Sequence, residues 1–293
     1  MIELASDELA VALRPERGGE VASVVHRASG VDILFRTPWA DAVPGTAWDS
    51  QSAWHAGYRG GWQLLCPNAG TESEAYGGRW GFHGEAAIVP WRVLERDARS
   101  ARLATALFTA PLELERTVTV SGTTVRLDER VTNLSPEPLE LMLVQHPAFG
   151  PPLVAPGCRI ETSAARFQAD AGGAAGAWPV VDGVDLSLVP PGERFVFGYL
   201  SGFAEGAARL TNDGLGLSAE LRWPLERFPF AWLWQELHAS SGFPWFRRAY
   251  VVAVEPASTI PQGFAAARAA GSPLVSVASG ETCAAWTELS VKG

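Results

Sequence analysis

The sequence predicts an all-β protein of two large, packed antiparallel sheets. Three observations predict it: apolar runs are short, Gly, Pro, Asn or Asp breaks them at close intervals, and the clearest pattern has a period of two. In chain order, residues 21–25 and 33–35 read as early strands, and residues 48–56 as a short helix. Residues 115–120 and 125–131 follow as strands. Thr117-Val118-Thr119-Val120 alternates as a half-buried strand should, and the Ser121-Gly122-Thr123-Thr124 stretch between the two runs is a hairpin turn. Residues 139–144 form the next strand, which should lose its regular ladder near His146 because Pro147 has no N–H to donate.

The Ala/Gly-rich stretch 169–177 reads as a loop within a sheet protein. Strands are then expected at 195–200, 217–221, 230–234, 250–254 and 284–291. A second short helix spans 262–270, after Pro261 and before Gly271. Neither helix is long enough for a bundle or a βαβ array. No internal repeat and no Gly/Ser/Pro-dense linker divides the chain, so one domain over residues 1–293 is expected.

Composition narrows the function classes. The 293 residues are 47% hydrophobic and 19% charged, with a net charge of −9, an ordinary globular balance. An acidic chain with no basic stripe points away from nucleic acid and from anionic membranes. Lys292 is the only lysine, a bias of composition. The first residues, Met1 to Glu8, carry acids where a secretory leader carries bases, and no stretch reaches the length of a membrane span, so a cytoplasmic location is expected. Cys66, Cys158 and Cys283 lack metal or disulfide spacing and read as buried free thiols.

Three distant segments each end a β-like run on a proton-active residue: Gly81-Phe82-His83-Gly84-Glu85, Gln145-His146-Pro147-Ala148-Phe149-Gly150 and Val254-Glu255-Pro256. Two imidazoles and a carboxylate suit general acid–base chemistry near neutrality. No nucleophile motif, phosphate loop or metal cluster competes with them. Around the first segment, Trp54, Trp62, Trp80 and Trp91 offer indole faces for a sugar ring, and Gln63, Asn68 and His83 offer bonds to its hydroxyls. Against this, tryptophans fill cores and glycines make turns. Glu236 is a further candidate acceptor, and His55 can edge a pocket without an assigned role.

Together these residues resemble the aldose 1-epimerase (galactose mutarotase) family. The likeness runs through Gly18-Gly19, His83-Gly84, His146-Pro147-Ala148-Phe149, Glu255-Pro256 and the closing stretch from Pro273-Leu274 to Gly280-Glu281-Thr282. It implies a β-supersandwich of large antiparallel sheets, galactose mutarotase-like. It also implies Glu255 as base, His146 as acid and His83 as a sugar-holding group, with no redox cofactor or metal. Asn68 is followed by Ala69 where galactose-type members have Arg, and Glu85 stands where a second glycine is usual, marking a divergent branch.

The expected reaction is interconversion of the α and β anomers of an aldose, with an ionised Glu255 and a protonated His146. Two alternatives remain: a hexose-6-phosphate 1-epimerase, gripping phosphate through Arg59, Arg79, Arg247 or Arg248, and a catalytically silent sugar binder. A glycoside hydrolase needs a second catalytic carboxylate, and no convincing pair is present.

Overall fold

The computed structural model describes residues 1–37 and 50–293. Strands dominate, gathered mainly into an 11-stranded and an 8-stranded antiparallel sheet. The larger runs, in spatial order, through Ile2–Ala5, Leu9–Arg14, Glu20–His26, Trp62–Leu65, Val144–Phe149, Tyr250–Ala257, Phe230–Leu237 and Arg194–Ser201 to a short edge hairpin. The smaller centres on Thr282–Lys292, Thr124–Asn133 and Leu112–Ser121. The all-β expectation therefore holds, with large antiparallel sheets.

The long hairpin of the smaller sheet follows directly from its sequence. Leu112–Ser121 and Thr124–Asn133 pair without interruption, and Gly122-Thr123 is the two-residue turn, with Gly122 at φ 53°. Alternate residues such as Leu114, Val118 and Val120 are buried against the larger sheet, the intervening ones half-exposed. Val252 and Val254 of the larger sheet meet Ile160, Leu210 and Leu221 of the smaller. Glu255, Ala253 and Val251 alternate with them and face the other way.

Some boundaries differ from expectation. The run 139–144 splits at Met142-Leu143: Leu139–Leu141 pairs with Val275–Val277, while Val144–Phe149 enters the larger sheet. That second strand continues through Pro147 to Phe149, so the proline does not end it. Of residues 33–35, only Leu34 makes a β-bridge. The stretch 169–177 is not a simple loop: it forms a 3₁₀ turn, Asp170–Gly172, and a short strand, Ala175–Ala177. The first helix spans Gln51–Gly57, capped by Ser50, whose side chain accepts the Ala53 N–H; Trp48 and Asp49 lie outside the described residues. The second helix is Phe264–Ala269. No described helix is long and apolar enough to cross a membrane.

Candidate active site

Register builds the central pair. Val144 pairs with Ala257 and Ala148 with Ala253, so His146, midway, lies opposite Glu255. Directly opposed residues share a face of the sheet, which brings the two side chains together. Between those pairs the ladder opens, and Pro147 and Pro256 sit in the gap, neither with an N–H to donate. Trp232 pairs with Glu255 on one side and Gln63 with His146 on the other, so one row crosses four adjacent strands.

His146 Nε2 stands 3.8 Å from Glu255 Oε1, and both residues are almost wholly buried. His146 Nδ1 and Glu255 Oε2 have no hydrogen-bond partner. Burial pushes the His146 imidazole down to about 4 and holds the Glu255 carboxyl well above its ordinary value. Both directions favour the uncharged forms. They run against the ionised Glu255 and protonated His146 expected from the sequence. At this depth desolvation outweighs the attraction between two opposite charges.

His83 reaches the same cavity from a tight turn. Its backbone is left-handed, φ 60°, and the next residue must be glycine: at φ +75° a Cβ on Gly84 would lie 2.5 Å from the Cys66 carbonyl oxygen. Nδ1 of His83 accepts the Gly70 N–H at 3.0 Å, so the hydrogen of the neutral ring sits on Nε2. Burial, reinforced by His146, holds its pKa well below the usual imidazole value. His83 is therefore a neutral hydrogen-bond donor, its ring 5.6 Å from that of His146 and 4.6 Å from that of Trp54.

These three residues line one cavity of about 400 Å³. Its walls are mostly aromatic: Trp54 and Tyr58 from the first helix and its end, Phe195 and Phe197 from Arg194–Ser201, Trp232 and Trp234 from Phe230–Leu237, and Phe243 and Trp245 from the loop that follows. His55, Gln51, Thr71, Asp170 and Ser240 add polar groups. No Lys or Arg lines it among the described residues, and residues 38–49 contain neither. None of Arg59, Arg79, Arg247 and Arg248 is on its wall; Arg79 pairs with Glu72 and Arg247 with Glu193.

Trp62, Gln63, Asn68 and Glu236, expected on the sequence to contact substrate, do not line the cavity. Trp62 faces the other sheet and donates its indole N–H to Gln145 at 2.8 Å. Gln63 adjoins His146 in the row, but its amide donates to Glu20 and to the Gly60 carbonyl. Asn68 donates to the carbonyls of Thr71 and Gly81 and accepts the Phe264 N–H, tying together the loops around His83. Glu236 accepts the N–H groups of Ala239 and Ser240 and the Ser240 hydroxyl, which fixes the start of the Phe243–Trp245 loop. Trp80 and Trp91 are also core residues, their indoles bonded to the Thr109 and Ala86 carbonyls.

Sequence reasoning missed most of the aromatic wall. One signal was present: Phe230, Trp232 and Trp234 alternate along one strand, which puts large rings on a single face. Glu85, noted as a departure, accepts the Phe108 and Thr109 N–H groups and the Thr109 hydroxyl and so pins a neighbouring loop.

Solved structures share this fold. The Slr1438 protein from Synechocystis sp. PCC 6803 superposes with a TM-score of 0.79 at 20% identity, covering 99% of this chain and 95% of that one. A galactose mutarotase-like protein from Lactobacillus casei gives 0.72 at 17% identity, with 100% of each chain covered. A galactose mutarotase related enzyme from Lactobacillus acidophilus gives 0.68 at 14% identity, covering 100% and 97%. At such identities the likeness establishes the galactose mutarotase-like fold. No curated protein matches the chain. A family model described as "Domain of unknown function (DUF4432)" matches residues 1–291, and the chain belongs to that family.

Proposed function

We propose that the protein is an aldose 1-epimerase, interconverting the α and β anomers of a neutral aldose by acid–base ring opening. One observation carries this reading: His146 Nε2 and Glu255 Oε1 stand 3.8 Å apart, and both residues line a cavity walled mostly by aromatic rings. The hydroxyl and the ring oxygen of a hemiacetal share one carbon, so a pair this close reaches both at once.

The chemistry needs one proton acceptor and one donor. With the pair charged, Glu255 takes the anomeric hydroxyl proton while His146 protonates the ring oxygen; the ring opens to the aldehyde. The pair is then neutral, the form that burial favours. Rotation about the bond from the anomeric carbon to its neighbour presents the other carbonyl face. Closure returns both protons and yields the other anomer. Started from the neutral pair, the same cycle runs with the roles exchanged: Glu255 donates to the ring oxygen and His146 accepts from the hydroxyl. Either way the pair holds a single proton, and in the cycle that starts from the charged pair its burial lowers the free energy of the form that faces the open chain. His83, a neutral donor, holds a substrate oxygen without competing for that proton.

The lack of basic side chains on the described walls favours neutral sugars over phosphosugars. The test is NMR anomer exchange over free and phosphorylated aldoses, with buffer-catalysed mutarotation subtracted. Acceleration lost on His146→Asn, with sugar still bound, supports the enzyme. A protein that binds sugars and accelerates none is a silent binder. A kinetic preference for a hexose 6-phosphate overturns the neutral-substrate reading.

A further inference from the structure

We propose that a second cavity, at the stem of the loop that bears Phe243 and Trp245, is a binding site for a flat organic anion: an aromatic body carrying one carboxylate, sulfonate or phosphate head. The site is independent of the sugar chemistry above. It encloses about 880 Å³ and, among the described residues, shares none of its wall with the cavity that contains His146 and Glu255.

Three segments build it. Leu34 bridges to Phe149, where the chain leaves its strand for the proline-rich run 151–156, so residues 30–36 and that run stand side by side. Asn212 fixes the run by donating to the carbonyls of Pro152 and Leu153 at 3.2 and 2.9 Å. The third segment is the loop stem. There the His238 N–H donates to the Ala249 carbonyl at 2.9 Å and its Nδ1 to the Arg247 carbonyl at 2.8 Å. Its ring lies 4.9 Å from that of Tyr250. Ser240, Phe243 and Trp245 of this loop line the central cavity, whereas His238, Arg248 and Tyr250 line the second. One loop therefore divides two sites, and hydrogen bonds within the fold hold the outer wall in place.

The wall has two kinds of surface. Pro151, Pro152, Pro156, Pro191, Phe35 and Tyr250 make most of it apolar. Prolines bring no N–H and no polar side chain, so they suit a ring body and offer a hydroxyl-rich one few bonds. Arg36 and Arg248 stand on the same wall, whereas the central cavity has no described Lys or Arg. Asp32 is the single described carboxylate there, and its Oδ1 already accepts the Val24 and Leu34 N–H groups. Two guanidiniums against one carboxylate make this wall net positive in a chain of net charge −9. A guanidinium pairs with a carboxylate, sulfonate or phosphate through charge-assisted hydrogen bonds, and it also stacks on ring faces. A neutral aromatic ligand would use the apolar surface and leave the charge unmatched. Inorganic phosphate would match the charge and leave the apolar surface in water.

The probe is anilinonaphthalene sulfonate, an aromatic body with one anionic head, titrated against the full chain by its fluorescence. It should bind saturably, one per chain. Its uncharged relative phenylnaphthylamine should bind roughly ten-fold more weakly, as loss of a charge-assisted hydrogen bond implies. Arg36→Gln and Arg248→Gln should each weaken the sulfonate by roughly three- to ten-fold and leave the uncharged dye unaffected. Both arginines are exposed, so neither change opens the core. Pro156→Glu, also at an exposed position, places a negative charge on the wall and should weaken the sulfonate alone. Arg102→Gln, at an arginine of the smaller sheet paired with Glu95 and Glu115, should change neither dye. No saturable binding, equal affinity for the two dyes, or sulfonate binding that survives both arginine changes overturns the site. Binding that is lost on Phe243→Ala and kept in the two arginine variants places the dye in the central cavity and overturns it as well.

Discussion

Two buried acid–base pairs sit on neighbouring sheets, each made by residues directly opposed across two strands, and they have opposite characters. Arg116 pairs with Glu129 in an unbroken ladder, and the guanidinium and carboxylate approach to 2.7 Å. Arg116 also donates to the Gly19 carbonyl at 2.8 Å and lies over the Trp91 ring, while Glu129 receives the Gln145 amide. His146 and Glu255 are opposed in an opened ladder, 3.8 Å apart, with nothing to complete their bonding. One pair is tied into a network that joins the sheets. Each pair leaves a buried carboxylate oxygen unpartnered, Glu129 Oε2 and Glu255 Oε2, but only the second pair lines the cavity, where it can meet a substrate. Gln145 links the two: its side chain bonds Glu129, and its neighbour in the chain is His146.

Removing one member should therefore act in opposite directions. Glu255→Gln is expected to lower anomer exchange by roughly 10²–10⁴-fold, the usual scale for a general acid or base, while sugar affinity measured by titration changes little. The same substitution should raise stability at neutral pH. Folded Glu255 holds its proton above the ordinary carboxyl value of 4.5 while the unfolded chain releases it, so the parent loses stability as pH rises past that value. Glutamine has no such loss, and its melting temperature should exceed the parent's by a margin that widens with pH. A margin that narrows would mean Glu255 is ionised in the fold.

Arg116→Met strands a buried carboxylate and should destabilise the fold by about 3–5 kcal/mol in denaturant titrations. Replacing both Arg116 and Glu129 with apolar residues of similar volume should recover most of that loss. A double variant as weak as the single one would show that the network, through Gln145, holds more than its own charges.

His83→Asn should act on binding, raising KM roughly ten-fold by loss of one hydrogen bond with kcat nearly kept, as initial rates over a sugar concentration series would show. An equal fall in kcat at saturation would place His83 among the proton-transfer groups. The smallest effect expected is in the pH profile. Because the pair works with one shared proton, kcat/KM should stay level through pH 6.5 and fall on the acid side only near His146's value of about 4. A decline setting in above pH 6.5 would instead mark an ordinary imidazolium acid.

Much of this was legible in the sequence, for local reasons. The hairpin 112–133 announces itself because its alternation, its turn and its pairing are all set by near neighbours. His83, His146 and Glu255 stood out because each is a titratable residue in a β-run broken by Gly or Pro. What escaped depends on contacts between distant segments. Whether Trp62 or Trp234 meets the cavity is decided by which face of the sheet each occupies. Asn68 and Glu236 have the chemistry of sugar ligands, but their hydrogen bonds go to backbone 3 to 196 residues away. The direction in which burial moves the central pair was hidden for the same reason, because burial is a property of the assembled sheet.

The single carboxylate beneath the turn at Ala239 and Ser240 has an evolutionary consequence. The reacting groups stand on central strands, whereas Phe243 and Trp245 hang from a loop whose anchor, Glu236, takes no part in the chemistry. Substitutions between residues 241 and 247 can reshape what the rim admits while the proton pair keeps its place. On the proposed mutarotase reading, substitutions confined to this loop would change which sugar the rim admits and leave His146 and Glu255 in place.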